Sequence, residues 1–348
     1  MRFAIRPSEG GTDFRAAVFQ ARRAEEYGID TVYLGEHHGW PESPYWPSPV
    51  VGLAALARET EEVTVGTNIL QLPLATPVRV AGEIAYLDRI ADGQTVFGFG
   101  VGWRQTEFDA FGIPRAERGR RMTEHLRLLN ALFEPGPTDF DGEFYSVEDF
   151  EVSPRPVQTP RPDFHIGGMG EHVLERVSEL AEGWVAAGGA LEEEAAFAQR
   201  VRERGGDVVQ GTGGVVVRET HAEAVEATTE FVKCRTRPHM KAGSPYFTAG
   251  FEDYLESQGR ELRIESEADL EAYLDEQAAY EIGGDLSAYT EENVFIAGTP
   301  EECVEQIDRI ADTTGCDELN LRISCAGWGR EATMETLDLL GREVLPSF

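Results

Sequence analysis

Lysine is almost missing from this chain of 348 residues, which contains only Lys233 and Lys241 among its 31 basic side chains. Against them stand 63 Asp and Glu residues, so the formal net charge at pH 7 is -32. A surface this acidic repels phosphate backbones, and nucleic acid is therefore excluded as an expected partner. Proteins that stay soluble in concentrated salt, where screening cancels self-repulsion, have such a composition. The charge balance thus predicts a halophilic protein.

Cysteine and long apolar runs are also scarce. The four cysteines show no CxxC spacing and no companion histidine pattern, which predicts reduced, mostly buried thiols of a cytoplasmic protein and no metal site; they are Cys234, Cys303, Cys316 and Cys325. No apolar run approaches the roughly 18 residues that a membrane-spanning helix needs. No charged segment followed by a short apolar segment opens the sequence. We therefore expect neither secretion nor a membrane partner.

Apolar residues alternate between strand-like and helix-like spacing along almost the whole chain. Eight strand and helix units can be traced, with strands expected at 3–6, 30–35, 63–70, 96–100, 164–167, 184–187, 208–218 and 318–323. This order predicts an α/β fold, a (β/α)8 TIM barrel forming a single domain over residues 1–348.

Two segments interrupt the alternation. The proline-rich segment 144–162 predicts a small hairpin against the barrel wall, because proline does not fit inside a central strand. A long insertion before the last βα unit, about residues 234–292, predicts helices with a mobile portion that act as a lid over the barrel mouth. Glycines expected to allow its motion are Gly243, Gly250, Gly259, Gly283 and Gly284.

Unusual residues follow three consecutive predicted strands. The strand that starts at Asp30 runs directly into Glu36, His37 and His38, the next ends near Asn68, and the third ends in Gly100-Val-Gly-Trp103. In a parallel barrel the carboxyl ends of all strands meet at one face, where active sites lie. These residues are therefore predicted to share one site.

Five motifs in the expected order resemble one known family. They are Glu36-His37-His38, Val65 to Arg79 with its Gly-Thr-Asn-Ile-Leu-Gln core, Gly98-Phe-Gly-Val-Gly-Trp103 with Glu107-Phe-Asp-Ala-Phe-Gly112, Gly167-Gly168, and Gly298-Thr-Pro-Glu-Glu-Cys303. Together they are similar to the bacterial luciferase-like flavin-dependent oxidoreductases, also called luciferase-like monooxygenases. The resemblance covers about residues 1–345 and implies a barrel that binds a reduced flavin, or a deazaflavin analogue, at its C-terminal mouth.

The resemblance implies a role for His37 near the reacting edge of the flavin. Imidazole suits a general base or hydrogen-bond donor because its unperturbed pKa lies near neutrality. His38 is expected to be structural, since strand alternation turns its side chain away from the face of His37.

The family also implies where the flavin binds. Its segment with a non-prolyl cis peptide beneath the flavin ring aligns with Asn68 and Ile69. Luciferases proper have a reactive cysteine and a phosphate-binding arginine where this chain has Gly100 and Val101, which puts light emission in doubt and indicates the wider oxidoreductase branch. Bare backbone at Gly100 would allow close approach of a ring or phosphate.

A glycine-rich turn opens the next predicted helix, and its free amide groups and helix dipole can bind the phosphate. Its residues are Gly167, Gly168, Met169 and Gly170. The cationic cluster of Arg115, Arg118, Arg120 and Arg121 either completes this anion site or forms a solvated helix face that pairs with Glu117 and Glu124.

Aromatic residues after the second and fourth strands predict an apolar substrate pocket. They include Trp40, Trp46 and Trp103. The alternative is that these tryptophans only fix the conformation of their loops.

The resemblance implies an enzyme that uses reduced FMN and oxygen to monooxygenate a small apolar carbonyl-type substrate, with a separate flavin reductase as a possible partner and a homodimer as the family habit. The alternative keeps the fold but uses the 5-deazaflavin coenzyme for hydride transfer. A minor alternative is a non-catalytic flavin-binding protein.

Overall fold

A computed structural model describes residues 1–7, 13–40, 45–241, 264, 266–282 and 285–348. The strands, numbered along the chain, are β1 (Arg2–Ile5), β2 (Thr31–Leu34), β3 (Thr64–Gln71), β4 (Thr95–Gly100), β5 (Thr138–Asp141), β6 (Ser146–Phe150), β7 (Asp163–Gly167), β8 (Gly183–Val185), β9 (Asp207–Gly211), β10 (Val215–Val217), β11 (Ile296–Gly298) and β12 (Glu318–Leu321). Eight of them form a closed parallel barrel in the order β1-β12-β9-β8-β7-β4-β3-β2. The predicted (β/α)8 barrel is confirmed.

Helices pack around the outside of this barrel. Along the described part of the chain they are α1 (Phe14–Glu26), α2 (Pro49–Leu56), α3 (Pro77–Ile90), α4 (Gln105–Phe111), α5 (Arg118–Phe133), α6 (Glu171–Leu180), α7 (Leu191–Arg202), α8 (His221–Lys241), α9 (Glu267–Ile282), α10 (Leu286–Glu292), α11 (Pro300–Thr314) and α12 (Arg330–Leu339). Local sequence signals fix several of their ends. At α11, for example, Thr299 and Glu302 form a capping box and Pro300 occupies the first turn.

The hairpin predicted in segment 144–162 exists, but its first strand lies earlier in the sequence. Strands β5 and β6 pair antiparallel, and the proline-rich chain that follows runs along the barrel wall. There Asp88 of α3 accepts hydrogen bonds from the backbone N–H groups of Val157 at 2.6 Å and Gln158 at 2.9 Å. These two bonds attach the excursion to the barrel.

The seventh predicted strand, at 208–218, is wrong as one continuous element. The barrel strand β9 ends at Gly211, and β10 pairs in parallel with β11 outside the barrel. The glycines between them explain the break, because a side chain at Gly214 would collide with the rings of Phe231 and Phe295. Glycine at this position therefore lets the chain leave the barrel without a steric clash.

The predicted insertion at 234–292 contributes helices α8 to α10 within the described residues. Helix α8 starts at His221 and passes through position 234 without interruption, so the insertion has no boundary there. The three helices and the β10–β11 pair share a second apolar cluster, in which Phe231, Phe295 and Trp328 are in ring contact. The five glycines proposed to move the lid lie outside the residues that the structure describes.

Candidate active site

The mouth of the barrel brings His37 and Glu107 together. His37 follows β2, and Glu107 lies in the first turn of α4, just after β4. The Nδ1 atom of His37 is 2.9 Å from Oε1 and 3.2 Å from Oε2 of Glu107. Glu107 is only 1% exposed, because the short helix α4 turns this residue and the buried Phe108 toward the barrel.

The carboxylate of Glu107 is surrounded by donors. The backbone N–H of His38 donates to Oε1 at 2.6 Å, and a guanidinium nitrogen of Arg104 lies 3.7 Å away. Burial alone would raise the pKa of Glu107, but His37, the His38 N–H and Arg104 outweigh it and lower the pKa below its usual value. The ionised carboxylate therefore accepts a hydrogen bond from Nδ1–H of His37, which leaves Nε2 of the imidazole to act on another molecule.

Three aromatic rings enclose His37. Its ring centroid is 5.1 Å from that of Trp40, 4.6 Å from Tyr45 and 5.9 Å from Trp103. All three contacts are edge-on, and Trp40 and Trp103 also contact each other. The guanidinium of Arg104 lies 4.6 Å above the ring of Trp40, a distance suited to a cation–π contact. The cage keeps the imidazole only slightly open to solvent.

Trp46 lies apart from this cage. It is 5% exposed and packs edge-on against Phe14 of α1 at 5.8 Å within the main hydrophobic core. Of the three tryptophans predicted to line a substrate pocket, the structure brings only Trp40 and Trp103 to His37.

His38 belongs to a second pair that faces away from the cage. Its Nε2 is 2.9 Å from Oε1 of Glu36, and its ring contacts Phe111. The other carboxylate oxygen of Glu36 accepts from the backbone N–H of Gln71 at 2.6 Å, at the end of β3. Glu36 thus links the β2 loop to β3 and is also bonded to His38.

The peptide bond between Asn68 and Ile69 is cis, as predicted from the alignment. It lies in β3 at a shift in register between β3 and β4. The side chain of Ile69 covers the space beside Gly100, and its Cγ2 would be 3.2 Å from a Cβ atom at Gly167. The side chain of Ile69 therefore packs against the backbone of Gly100. Val101, the next residue, is partly buried against the core.

The predicted phosphate turn opens helix α6. Gly168 and Gly170 have φ angles of 105° and 109°, which glycine adopts readily, and a Cβ atom at Gly170 would meet nothing within 4 Å. Gly170 is the N-cap and no side chain caps this helix; the N–H of Val173 donates to the Gly170 carbonyl at 3.0 Å, which leaves the N–H groups of Glu171 and His172 for a ligand. Met169 beside them is 50% exposed.

The arginine cluster of α5 pairs with carboxylates. Arg121 is 2.8 Å from Glu117, and Arg120 pairs with Glu143. Arg120 is exposed, as the solvated helix face requires, whereas Arg121 is only 21% exposed. Glu124, the other partner expected for that face, accepts hydrogen bonds from the backbone N–H groups of Phe144 and Tyr145 instead.

Glu107 is the functional residue that the sequence left without a role. Its sequence signal was the motif Glu107 to Gly112 of the family resemblance, and only the structure shows that its carboxylate is buried with polar partners. Among the described residues no group of three or more His, Cys, Asp and Glu side chains is placed to hold a metal ion. No helix in this part of the chain is long and apolar enough to cross a membrane.

Comparison with known proteins gives one family. A family model described as luciferase-like monooxygenase matches residues 1–318. The chain is similar to an FMNH(2)-dependent dimethylsulfone monooxygenase of Pseudomonas putida, with 28% identity over 51% of this chain and 51% of that protein. It is also similar to an F420-dependent glucose-6-phosphate dehydrogenase of Kineococcus radiotolerans, with 31% identity over 49% of this chain and 51% of that protein.

These matches span about half the length of each of the two relatives. Among solved structures, monooxygenase RslO1 from Streptomyces bottropensis superimposes with a TM-score of 0.75 at 21% identity, covering 100% of this chain and 99% of that one. At this identity the likeness concerns the fold.

Proposed function

Because this chain belongs to the luciferase-like monooxygenase family, we propose that it is an oxidoreductase that uses reduced FMN and oxygen to monooxygenate a small organic substrate. The observation that carries the proposal is the buried pair of His37 and Glu107 inside the aromatic cage. A carboxylate that fixes the tautomer of an imidazole is the arrangement that proton transfer to or from a bound molecule requires.

The residues at the barrel mouth fit a flavin phosphate and ring. The uncapped N-terminus of α6 at Gly168 to Gly170 offers free amide groups to the phosphate. At the end of β3, Nδ2 of Asn68 is buried without a hydrogen-bond partner among the described residues. Such an orphaned donor suits a ring carbonyl oxygen. We propose that Asn68, Ile69 and the Gly167 to Gly170 turn bind the cofactor, with Gly100 and Val101 behind Ile69.

Reduced FMN, when bound, would supply the electrons that activate oxygen for transfer to the substrate. Nε2 of His37 is available to exchange a proton, because Nδ1 is hydrogen-bonded to Glu107. Trp40 and Trp103 exclude water from the imidazole and line the space beside it. Exclusion of water keeps the imidazole oriented toward a bound molecule.

Hydride transfer to the 5-deazaflavin coenzyme is the second candidate. The same observation supports it, since an alcohol that gives up a hydride must also lose its hydroxyl proton, and His37 backed by an ionised Glu107 can accept it. The relatives divide in the same way, one named for FMNH(2) and one for F420.

Binding and oxygen consumption separate the two candidates. Purified protein is titrated anaerobically with reduced FMN and, separately, with reduced deazaflavin, followed by fluorescence. We expect tight binding of reduced FMN, weak binding of deazaflavin, and substrate-dependent oxygen uptake. Tight binding of deazaflavin alone, with no oxygen uptake, would establish the second candidate. Binding of flavin without turnover of any substrate would support the non-catalytic alternative.

Partners and location complete the proposal. A separate flavin reductase would supply reduced FMN. We also propose a homodimer formed by α1 to α3, which expose the apolar side chains of Phe19, Val51 and Tyr86. All four cysteines are unpaired thiols, three of them buried, which supports a cytoplasmic location.

A further inference from the structure

Two arginines meet at the mouth of the barrel on the side away from α6. Arg6 follows β1, and Arg322 follows β12, the neighbouring strand. Arg322 is 8% exposed. Among the described residues no carboxylate lies within ion-pair distance of either guanidinium, although the chain has twice as many acidic as basic side chains. Two cations side by side without a carboxylate partner, Arg322 buried and Arg6 partly buried, are costly unless an anion joins them.

The surroundings of this pair form a small pocket with further donors. Tyr33, Gly35, Trp46 and Ser324 line it together with the two arginines. The Oγ atom of Ser324 and the Nε atom of Arg6 are buried and have no hydrogen-bond partner in the described part of the chain. Among the described residues that line the pocket there is no Asp or Glu, and Arg6 and Ser324 each present a buried polar atom that can donate to an incoming anion.

Tyr45 connects this pocket to the proposed reaction site. Its hydroxyl oxygen accepts from Nη2 of Arg322 at 3.0 Å, and its ring contacts His37. Burial alone would raise the pKa of Tyr45, but Arg322 and Arg6 outweigh it and lower the pKa. Burial and the facing Arg322 also lower the pKa of Arg6, to about 10. For Arg6 burial is the larger cause, so it is the lowered pKa of Tyr45 that indicates a positive field from the two arginines.

We propose that Arg6, Arg322 and Ser324 bind the oxyanion group, carboxylate or phosphate, of the substrate whose reacting carbon lies beside His37. This inference rests on the proposed function for the identity of the ligand as substrate, and it replaces the expected apolar compound by an anionic one. The planar guanidinium fork matches two oxygens of an oxyanion. The aromatic walls of Tyr45 and Trp46 would then face the apolar part of the molecule.

Anion binding to the protein without flavin tests the pocket directly. Calorimetric titrations with acetate and with inorganic phosphate distinguish the two oxyanions, and neutral acetamide is the control ligand. We expect Arg322→Met to weaken the preferred anion by about 10- to 100-fold, the range for a charge-assisted hydrogen bond, and Arg322→Lys to weaken it less. Arg79→Met, which changes the net charge equally at an exposed site, should leave binding unchanged.

Arg6→Met is the second variant, in case Arg322→Met does not fold. Equal binding of anions and acetamide, or equal losses in Arg79→Met and Arg322→Met, would overturn the pocket. Titrations with FMN and with riboflavin, which lacks the phosphate, complete the test. If Arg322→Met weakens FMN but not riboflavin, the pocket binds the cofactor phosphate and the assignment to substrate is wrong. If the anion binds as expected but neither FMN nor deazaflavin binds, the proposed function fails and the anion pocket stands.

Discussion

Ile69 and Gly100 share one space at the mouth of the barrel, because Cδ1 of Ile69 occupies the position that a Cβ atom at residue 100 would need. Gly100→Ala should therefore destabilise the fold by about 1–3 kcal/mol, the usual cost of overpacking, and weaken flavin binding. The double variant with Ile69→Val, which lacks Cδ1, should recover most of the loss. Urea unfolding measures the stability.

Gly82→Ala is the control for this substitution, since a Cβ atom at this helical position meets nothing within 4 Å. It should stabilise slightly, as alanine does in a helix interior. If Gly100→Ala and Gly82→Ala change the free energy of unfolding equally, the side chain of Ile69 does not need a glycine at position 100.

His37 should matter far more than His38 for turnover. His37→Ala is expected to lower turnover by about 10²-fold or more. Glu107→Gln should also lower turnover, because it removes the carboxylate that orients His37. Both variants should still bind flavin. His38→Ala should mainly reduce stability, because His38 bonds Glu36 outside the cage. Steady-state kinetics and flavin titration on the same preparations make the comparison. Equal losses from the two histidines would contradict proton transfer at His37.

Acid should destabilise the protein through His125. Burial lowers the pKa of His125 from 6.5 to about 3, although its Nδ1 bonds to the carbonyl oxygen of Leu72. As pH falls, His125 is protonated in the unfolded chain before it is protonated in the folded protein. The free energy of unfolding is therefore unaffected by this residue above about pH 6.5 and falls progressively toward pH 3. The expected loss is about 1.4 kcal/mol per pH unit in this window.

His125→Asn keeps a donor for Leu72 and should remove this part of the pH dependence. Urea unfolding of both proteins at several pH values, at constant KCl, measures the difference. His165, whose burial lowers its pKa to about 4, remains in both proteins and provides the background slope. Parallel stability curves for the two proteins would show that His125 does not cause the loss.

Concentrated salt should stabilise the chain. The chain has a net charge of -32, and its acidic side chains repel one another in dilute buffer. Molar salt shortens the Debye length to about 3 Å and screens this repulsion. The melting temperature should rise steeply between dilute buffer and molar KCl, measured by scanning calorimetry. A flat melting temperature over that range would refute the halophilic prediction.

Tyr86 should control dimer formation. Its side chain is 61% exposed on α3, and Phe19 of α1 and Val51 of α2 are exposed as well. A charge there would have to be buried in the interface, so Tyr86→Glu should give monomers in sedimentation experiments. Tyr280→Glu, at a 45% exposed tyrosine of α9, is the control and should leave the dimer intact. A monomeric wild type would refute the dimer itself.

Features that depend only on neighbouring residues could be predicted from the sequence. Strand and helix periods are local, so the barrel could be predicted, and the position of His37 followed from its place at the end of β2. The cis bond at Asn68 and Ile69 was reached through the family resemblance, which works position by position.

Which side chains are in contact across the barrel could be seen only in the folded protein. Glu107 reaches His37 from a different βα unit, and Arg6 meets Arg322 only because the barrel closes β1 against β12. The break between β9 and β10 also depends on Phe231 and Phe295, which fill the space beside Gly214. Such contacts form only when the whole sheet closes, and no local sequence pattern describes that closure. The polar partners of the site could therefore not be predicted from the sequence.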